Sequence, residues 1–229
     1  MGEMDEARAA AGPRVAGVAD IDRFETLIDV RSPAEFAEDH LPGAVNYPVL
    51  DDAERVRVGT LYRQVSPFAA RKLGAVLVAR NIARHIEESF GDKDKYWKPL
   101  VYCWRGGQRS EAMAHILAQV GWKAAKLDGG YKAWRQRVVK VLETLPGQFV
   151  FRLIAGPTGS GKSRLLEALA AQGAQVLHLE QLAAHKGSVL GGLLDVAQPS
   201  QKMFESRLYL ALSAFDRGKP VYAEAESRR

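Results

Sequence analysis

Two segments of this 229-residue chain combine residue types that could do chemistry. The first runs from Gly156 to Ser163 and reads GPTGSGKS, the P-loop pattern. Its glycines would let backbone N–H groups surround phosphate oxygens, while Lys162 adds a positive charge and Ser163 offers a ligand to Mg²⁺. The predicted phosphate-binding residues are Gly156, Thr158, Gly159, Ser160, Gly161, Lys162 and Ser163.

The second segment reads CWRGGQRS and contains the single cysteine of the sequence, Cys103. A thiol at the end of a strand, followed by a loop that closes onto a helix N-terminus, is in a setting that favours a thiolate. Arg105 and Arg109 would stabilise an anion attached to the sulfur. A lone cysteine is more often a small buried hydrophobe, but two arginines and two glycines at these spacings favour catalysis. We therefore predict Cys103, Arg105 and Arg109 as catalytic residues.

Three further side chains are candidates for binding substrate or metal. Glu224 and Glu226 stand at and just beyond a predicted strand and could supply the acidic ligand that Mg²⁺ needs beside a phosphate loop. A solvated strand end explains them equally well. His185 begins the run HKGS and could reach a phosphate or substrate, with an ordinary loop as the alternative. The sequence assigns no metal ligand and no cofactor beyond this candidate Mg²⁺.

Alternating strands and helices would position both segments. A predicted strand over 99–103 runs into the cysteine segment, and a helix over 110–120 follows it. A strand over 149–154 precedes the phosphate loop, and a helix over 164–171 follows. This alternation predicts an α/β protein in which a parallel sheet flanked by helices is followed by a partial P-loop NTPase-like α/β domain.

The same reading divides the chain into four parts. Residues 1–20 form a polar leader, 21–142 a first domain, 143–148 a linker rich in polar residues with Pro and Gly, and 149–229 a second domain. Three strands are few for a nucleotide-binding sheet, and the last would be an open edge or a truncated centre. We therefore expect an incomplete second domain.

Composition and charge narrow the class of protein. The sequence is 47% hydrophobic and 26% charged, which is ordinary for a globular protein, and it has neither a secretory leader nor a transmembrane run. Together with a single cysteine, this predicts a cytoplasmic protein with no membrane partner. Residues 71–140 carry 15 Lys and Arg against 6 Asp and Glu, whereas residues 1–70 carry 7 against 13. Such a basic block suggests a face for a polyanion, and a solvated surface is the alternative.

Four motifs in order resemble the rhodanese domain over about residues 21–140. They are 27–36 (LIDVRSPAEF), 40–46 (HLPGAVN), the Cys103 segment and 127–134 (LDGGYKAW). The CX5R spacing from Cys103 to Arg109 is longer than in the common sulfurtransferase loop. It is similar to the loops of dual-specificity phosphatases and arsenate reductases, so this loop could hold a group larger than sulfur.

The pair of a rhodanese domain and a P-loop domain resembles the tRNA 2-selenouridine synthase family. Three later runs carry the same resemblance, namely 179–188 (LEQLAAHKGS), 198–205 (QPSQKMFE) and 224–229 (EAESRR). The resemblance implies geranylation of wobble 2-thiouridine in tRNA by geranyl diphosphate, then replacement of the S-geranyl group by selenium from selenophosphate. It further implies that Cys103 carries selenium, that the phosphate loop holds diphosphate, and that the basic block faces tRNA. Members of the family continue past residue 229, which supports the expectation of an incomplete chain.

Two other functional classes remain open. One is a rhodanese-type sulfurtransferase or CX5R phosphatase with a nucleotide-binding regulatory domain, which would turn over thiosulfate or a phosphoester without tRNA. The other is a non-enzymatic binding module in which Cys103 is inert.

Overall fold

A computed structural model describes residues 13–157, 159–185 and 198–225 of the chain. The chain divides into two compact units, Met1–Arg135 and Gln136–Arg229. The division falls within a helix that spans Gly130–Leu142. Both units are built on parallel sheets, so the predicted α/β class is confirmed.

The first unit contains a five-stranded parallel sheet with the spatial order β1-β5-β4-β2-β3. Its strands are β1 (Arg14–Ala16), β2 (Thr26–Asp29), β3 (Ala44–Asn46), β4 (Pro99–Tyr102) and β5 (Ala125–Leu127). All four residues of the central strand β4 are buried, as expected for a parallel strand covered on both faces. Because β4 is central, the loop that follows it lies at the middle of one sheet edge.

Five helices flank this sheet. They are α1 (Pro33–Glu38), α2 (Asp52–Gln64), α3 (Pro67–His85), α4 (Gln108–Val120) and α5 (Gly130–Leu142). Helix α3 begins after Ser66, whose Oγ accepts the N–H of Phe68 at 3.2 Å, and has proline at its first position. Helix α4 ends at Gly121, as predicted, because this glycine adopts a left-handed φ of 110°.

The sequence reasoning missed several elements of the first unit. Strand β1 lies inside the segment predicted as a polar leader and pairs with β5 through Arg14 opposite Ala125. Three residues at a sheet edge are too few to show an alternation of apolar side chains. Helix α2 was also missed because no residue in it is buried, so it has no apolar stripe. Its N-terminus carries a capping box, in which Asp51 Oδ1 accepts the N–H of Glu54 at 2.7 Å.

The second unit contains a parallel sheet with the order β6-β8-β7 among its described residues. The strands are β6 (Phe151–Ile154), β7 (Gln175–Leu177) and β8 (Val221–Glu224), and the helices are α6 (Lys162–Ala171), α7 (Leu179–Leu182) and α8 (Gln201–Ser213). Strand β8 occupies the centre, as one of the two predicted alternatives. At the β6 edge, the side chains of Val150 and Leu153 are 68% and 63% exposed.

Within the described parts of the chain, no helix combines the length and the apolar character that crossing a bilayer requires.

Candidate functional site

Cys103 directly follows the central strand β4 and is only 4% exposed. Its Sγ lies 3.2 Å from the Oγ of Ser110, a residue with no exposed surface. The Ser110 hydroxyl in turn donates to the backbone carbonyl of Gly107 at 3.1 Å. The thiol therefore has a buried hydroxyl beside it, and rotation of that hydroxyl would give a hydrogen-bond donor to an anion formed on the sulfur.

The N-terminus of α5 holds the cysteine loop from the opposite side. The N–H of Tyr131 donates to the carbonyl of Cys103, and the N–H of Lys132 donates to the carbonyl of Trp104, both at 2.9 Å. The first N–H groups of a helix have no partner within the helix, so here they use the loop as their acceptor. The backbone on either side of the sulfur is thereby fixed in position.

Two glycines allow this close approach of backbone to backbone. Gly106 and Gly130 have φ angles of 65° and 56°, in the left-handed region. A Cβ on Gly106 would lie 2.6 Å from the carbonyl oxygen of Leu127. A Cβ on Gly130 would lie 2.5 Å from the backbone nitrogen of Gly106. The obstructing atoms belong to the backbone, so a side chain at either position would displace the loop.

The two predicted catalytic arginines occupy different environments. Arg109 Nη1 donates to Glu35 Oε2 at 2.8 Å and its Nη2 donates to Oε1 at 3.4 Å, while Arg105 is exposed. Partial burial acts to raise the pKa of Glu35, but the hydrogen bonds and charge of Arg109 outweigh it and lower that pKa. Among the described residues, the recorded polar neighbours of Cys103 Sγ are Ser110 and Gly107. Arg109 therefore forms an ion pair with Glu35, and the described residues show no bond from either arginine to the sulfur.

A buried ion pair supports the start of α5. Asp29 and Arg31 are 0% and 1% exposed, and Arg31 Nη2 lies 2.6 Å from Asp29 Oδ2. The Arg31 guanidinium also donates to the carbonyl of Asp39 at 2.7 Å and lies 4.1 Å from the centre of the Tyr131 ring. Burial opposes the charged form, yet the hydrogen bond and charge of Asp29 raise the pKa of Arg31.

Tyr131 links this ion pair to the cysteine loop. Its hydroxyl donates to Asp39 Oδ2 at 2.8 Å, and its backbone N–H is the one that binds the Cys103 carbonyl. Burial and the neighbouring carboxylate of Asp39 raise the pKa of Tyr131, so the phenol stays protonated and remains a donor. The position of Cys103 therefore depends on a network that starts on strand β2.

The second candidate site is the loop between β6 and α6. Gly159 and Gly161 have left-handed φ angles of 82° and 84°, and α6 begins at Lys162. Lys162 Nζ donates to the carbonyls of Gly156 and Pro157 at 2.7 and 3.2 Å. The strand–loop–helix context predicted for phosphate binding is present. Thr158 lies outside the described residues.

Glu224 ends β8 and lies beside this loop, because β8 pairs with β6 and places Glu224 opposite Ile154. One carboxylate oxygen, Oε1, accepts the N–H of Glu180 at 2.7 Å. The other, Oε2, is buried and has no hydrogen-bond partner among the described residues. A buried carboxylate oxygen without a partner is costly unless a ligand or ion completes it.

The structure says less about the two remaining candidate residues, Glu226 and His185. Glu226 lies outside the described residues, as do 186–188 of the HKGS run. His185 follows α7, and its backbone N–H donates to the backbone carbonyl of Glu180 at 2.9 Å. Across the described ranges, no group of three or more His, Cys, Asp and Glu side chains is arranged to hold a metal ion.

Comparison with known proteins connects both loops to named families. Residues 17–137 match the family model of the rhodanese-like domain. The chain belongs to the rhodanese-like family. Residues 149–229 match the model described as the tRNA 2-selenouridine synthase AAA domain.

Curated relatives of this rhodanese-like chain are named tRNA 2-selenouridine synthase. The protein from Nitrosomonas europaea is 39% identical over 206 residues, which cover 88% of this chain and 53% of the relative. The protein from Verminephrobacter eiseniae is 43% identical over 184 residues, covering 80% of this chain and 49% of the relative. The predicted resemblance is confirmed. The chain spans about half the length of these relatives.

A rhodanese-related protein from Thermoplasma volcanium has 20% sequence identity, a TM-score of 0.35, and covers 54% of this chain and 92% of its own.

Three features of the rhodanese-like unit were missed by sequence reasoning. They are the Ser110 hydroxyl beside the sulfur, the Glu35 carboxylate that pairs with Arg109, and the close approach of backbone at Gly130. Glu35 also belongs to the capping box of α1 with Ser32, which is a local signal. Glu35 and Arg109 are 74 positions apart, and nothing in the sequence between them indicates that the two side chains meet. Only the arrangement of α1 and α4 brings them together.

Proposed function

We propose that this chain provides the prenyl-transfer and selenium-transfer sites of a tRNA 2-selenouridine synthase. The reaction would convert wobble 2-thiouridine in tRNA to 2-selenouridine through an S-geranyl intermediate, with geranyl diphosphate and selenophosphate as co-substrates. The observation that carries the proposal is the succession, in one chain, of a buried cysteine loop and a phosphate loop with Glu224 beside it. The names of the relatives support the same assignment.

The first step would be transfer of the geranyl group at the phosphate loop. The sulfur of 2-thiouridine forms a bond to C1 of geranyl diphosphate, the C1–O bond breaks, and diphosphate leaves with the electron pair. The base loses its N3 proton to solvent. Lys162, whose ammonium donates to two neutral carbonyls in the structure, would instead donate to the charged diphosphate, where attraction between opposite charges adds to the hydrogen bond.

The residues beside the loop fit a divalent cation. Ser163 and Glu224 would hold Mg²⁺, since the Glu224 Oε2 atom is buried without a hydrogen-bond partner among the described residues. The ion would neutralise part of the diphosphate charge.

The second step would take place at the cysteine loop. The selenium of selenophosphate forms a bond to C2 of the base, the C2–S bond breaks, and geranylthiolate leaves with the electron pair. Water then attacks phosphorus, the P–Se bond breaks, and phosphate leaves while selenium stays on C2 with the electron pair. We assign Cys103 to this step as the group that gives a proton to the leaving geranylthiolate, because its sulfur is held by a fixed loop beside the Ser110 hydroxyl. This hydroxyl would donate to the thiolate that remains on Cys103.

Two substitutions in the full-length protein separate these steps. Lys162→Ala should lower geranylation while selenation of a supplied S-geranyl tRNA persists, with the exposed Lys219→Ala as control for loss of a lysine. Cys103→Ser should do the reverse, because serine keeps the shape of the loop but its hydroxyl ionises far above neutral pH and is a poor proton donor. Both nucleosides are quantified in one mass-spectrometric run. Selenation by Cys103→Ser at the parent rate would refute the role of the thiol.

The CX5R spacing supports a second candidate, a sulfurtransferase or phosphatase with a nucleotide-binding regulatory domain. Thiosulfate or aryl phosphate turnover that requires Cys103 but neither tRNA nor Lys162 would favour this alternative.

A further inference from the structure

A cavity of about 480 Å³ lies between α2, α3 and the first turn of α4. Its walls are largely apolar and include Val58 from α2 and Ala75 and Val78 from α3. Gly74 also lines it, and the absence of a side chain there leaves room between the two helices. The volume is within the range of small-molecule sites in proteins, about 300–1,000 Å³. We call this cavity the α2–α3 pocket.

The α2–α3 pocket borders the cysteine loop. Gln108 and Arg109 line it, and both belong to the run that begins at Cys103. The next residue in the chain is Ser110, whose Oγ lies 3.2 Å from the Cys103 sulfur. A ligand in the pocket would therefore lie against the same helical turn that contacts the reactive sulfur.

Three arginines give the pocket a positive rim. Arg109 forms an ion pair with Glu35, and Arg55 Nε lies 4.0 Å from the same carboxylate. Arg71 is exposed, and no carboxylate among the described residues is within ion-pair distance of it. Two arginines thus share one carboxylate while a third has none, so the rim retains positive charge. Apolar walls with a cationic rim suit a hydrocarbon chain attached to a phosphate-bearing molecule.

We propose that the α2–α3 pocket binds the geranyl chain of the S-geranyl-2-thiouridine nucleotide while its C2 atom faces the cysteine loop. The inference rests on the proposed function and adds to it a location for the hydrocarbon. A ten-carbon chain on a tRNA base would be exposed to water unless the protein covers it, and covering it releases free energy in proportion to the buried apolar area. The arginine rim would face the phosphates on either side of the modified base.

The test compares two anticodon stem-loop RNAs that differ only in the S-geranyl group. The ratio of their dissociation constants isolates the contribution of the geranyl chain, because all phosphate contacts are common to both. We expect the parent protein to bind the geranylated RNA about 10- to 100-fold more tightly, since ordering costs offset part of the gain from burial.

Variants that fill the pocket should remove this preference. Ala75→Phe fills it from α3 and Val58→Phe fills it from α2, so the test does not depend on one variant folding. Ala83→Phe is the matched control, because Ala83 is exposed on the same helix and does not line the pocket. The ratio should fall to about 1–3 in the two filled variants and stay at the parent value in the control. An unchanged ratio in both filled variants, or no preference in the parent protein, would overturn the inference.

Two further measurements separate this inference from its premise. If the full-length parent protein selenates S-geranyl tRNA and Ala75→Phe does so with the same KM, the pocket assignment is wrong and the proposed function stands. If the parent protein converts no geranylated tRNA at all, the proposed function itself fails. Geranyl diphosphate is tested as a competitor of the geranylated RNA; competition that Ala75→Phe abolishes, without a change in the RNA ratio, would assign the pocket to the donor and overturn the proposal.

Discussion

Substitution of Gly130 by alanine should destabilise the rhodanese-like unit far more than the same change at Gly43. Both glycines have left-handed φ angles, 56° and 75°. An alanine in this conformation costs about 1–2 kcal/mol, partly offset by about 0.4–1 kcal/mol from the less flexible unfolded chain. At Gly43 a Cβ would meet no atom within 4 Å, so we expect a net cost of about 1 kcal/mol there.

At Gly130 the new Cβ would also lie 2.5 Å from Gly106 N and 3.1 Å from the carbonyl carbon of Arg105. Overpacking of this kind costs about 1–3 kcal/mol, and here no side chain can rotate away, so we expect a total of about 3 kcal/mol. The displaced segment carries Cys103, so the selenation proposed for this loop should fall as well.

Urea unfolding followed by tryptophan fluorescence measures the difference between the two variants. The four tryptophans of the chain are Trp97, Trp104, Trp122 and Trp134, all within the first unit, so the signal reports on that unit. The midpoint and slope of the transition give the free energy of unfolding of each variant. If Gly130→Ala and Gly43→Ala lower the free energy of unfolding by the same amount, within about 0.5 kcal/mol, backbone contact at the cysteine loop does not require glycine.

Further predictions concern charge. Asp29→Asn should cost about 3–5 kcal/mol in the same urea assay, because Arg31 would remain buried without its counter-ion; a cost below 1 kcal/mol would contradict this. Burial lowers the pKa of His85 from its ordinary 6.5, and its Nε2 bonds the Pro48 carbonyl at 2.9 Å. The folded state thus disfavours the protonated form of His85. The contribution of His85 to the free energy of unfolding, present above pH 6.5, should therefore be lost as the pH falls through the lowered pKa. His85→Gln should flatten this part of the plot of unfolding free energy against pH. If residues 71–140 form the tRNA-binding surface, each replacement of a Lys or Arg that contacts phosphate should reduce the slope of the logarithm of the tRNA-binding constant against log[salt] by about one unit. An unchanged slope over several variants would mean that tRNA binds elsewhere.

Local signals in the sequence were sufficient to predict the strand, loop and helix around each candidate segment. The apolar run before Cys103 and the glycine at position 121 indicated a strand, a loop and a helix, and GPTGSGKS follows β6 and runs into the first turn of α6. These features depend on contacts between residues a few positions apart and on the freedom of glycine, so they can be read along the chain. Elements without an apolar repeat, such as β1 and α2, gave no such signal.

The tertiary structure decided which side chains meet. Strand β8 inserts between β6 and β7, and only this order places Glu224 beside the phosphate loop. Arg109, which the sequence suggested as a partner of the sulfur, binds Glu35 because α1 and α4 come together. The α2–α3 pocket likewise arises from the packing of two helices, one of which the sequence did not reveal. Residue type and spacing determine the local conformation and the chemistry that a side chain is capable of. Pairing across the sheet depends instead on strand order and helix packing, which arise from the summed burial of the whole core.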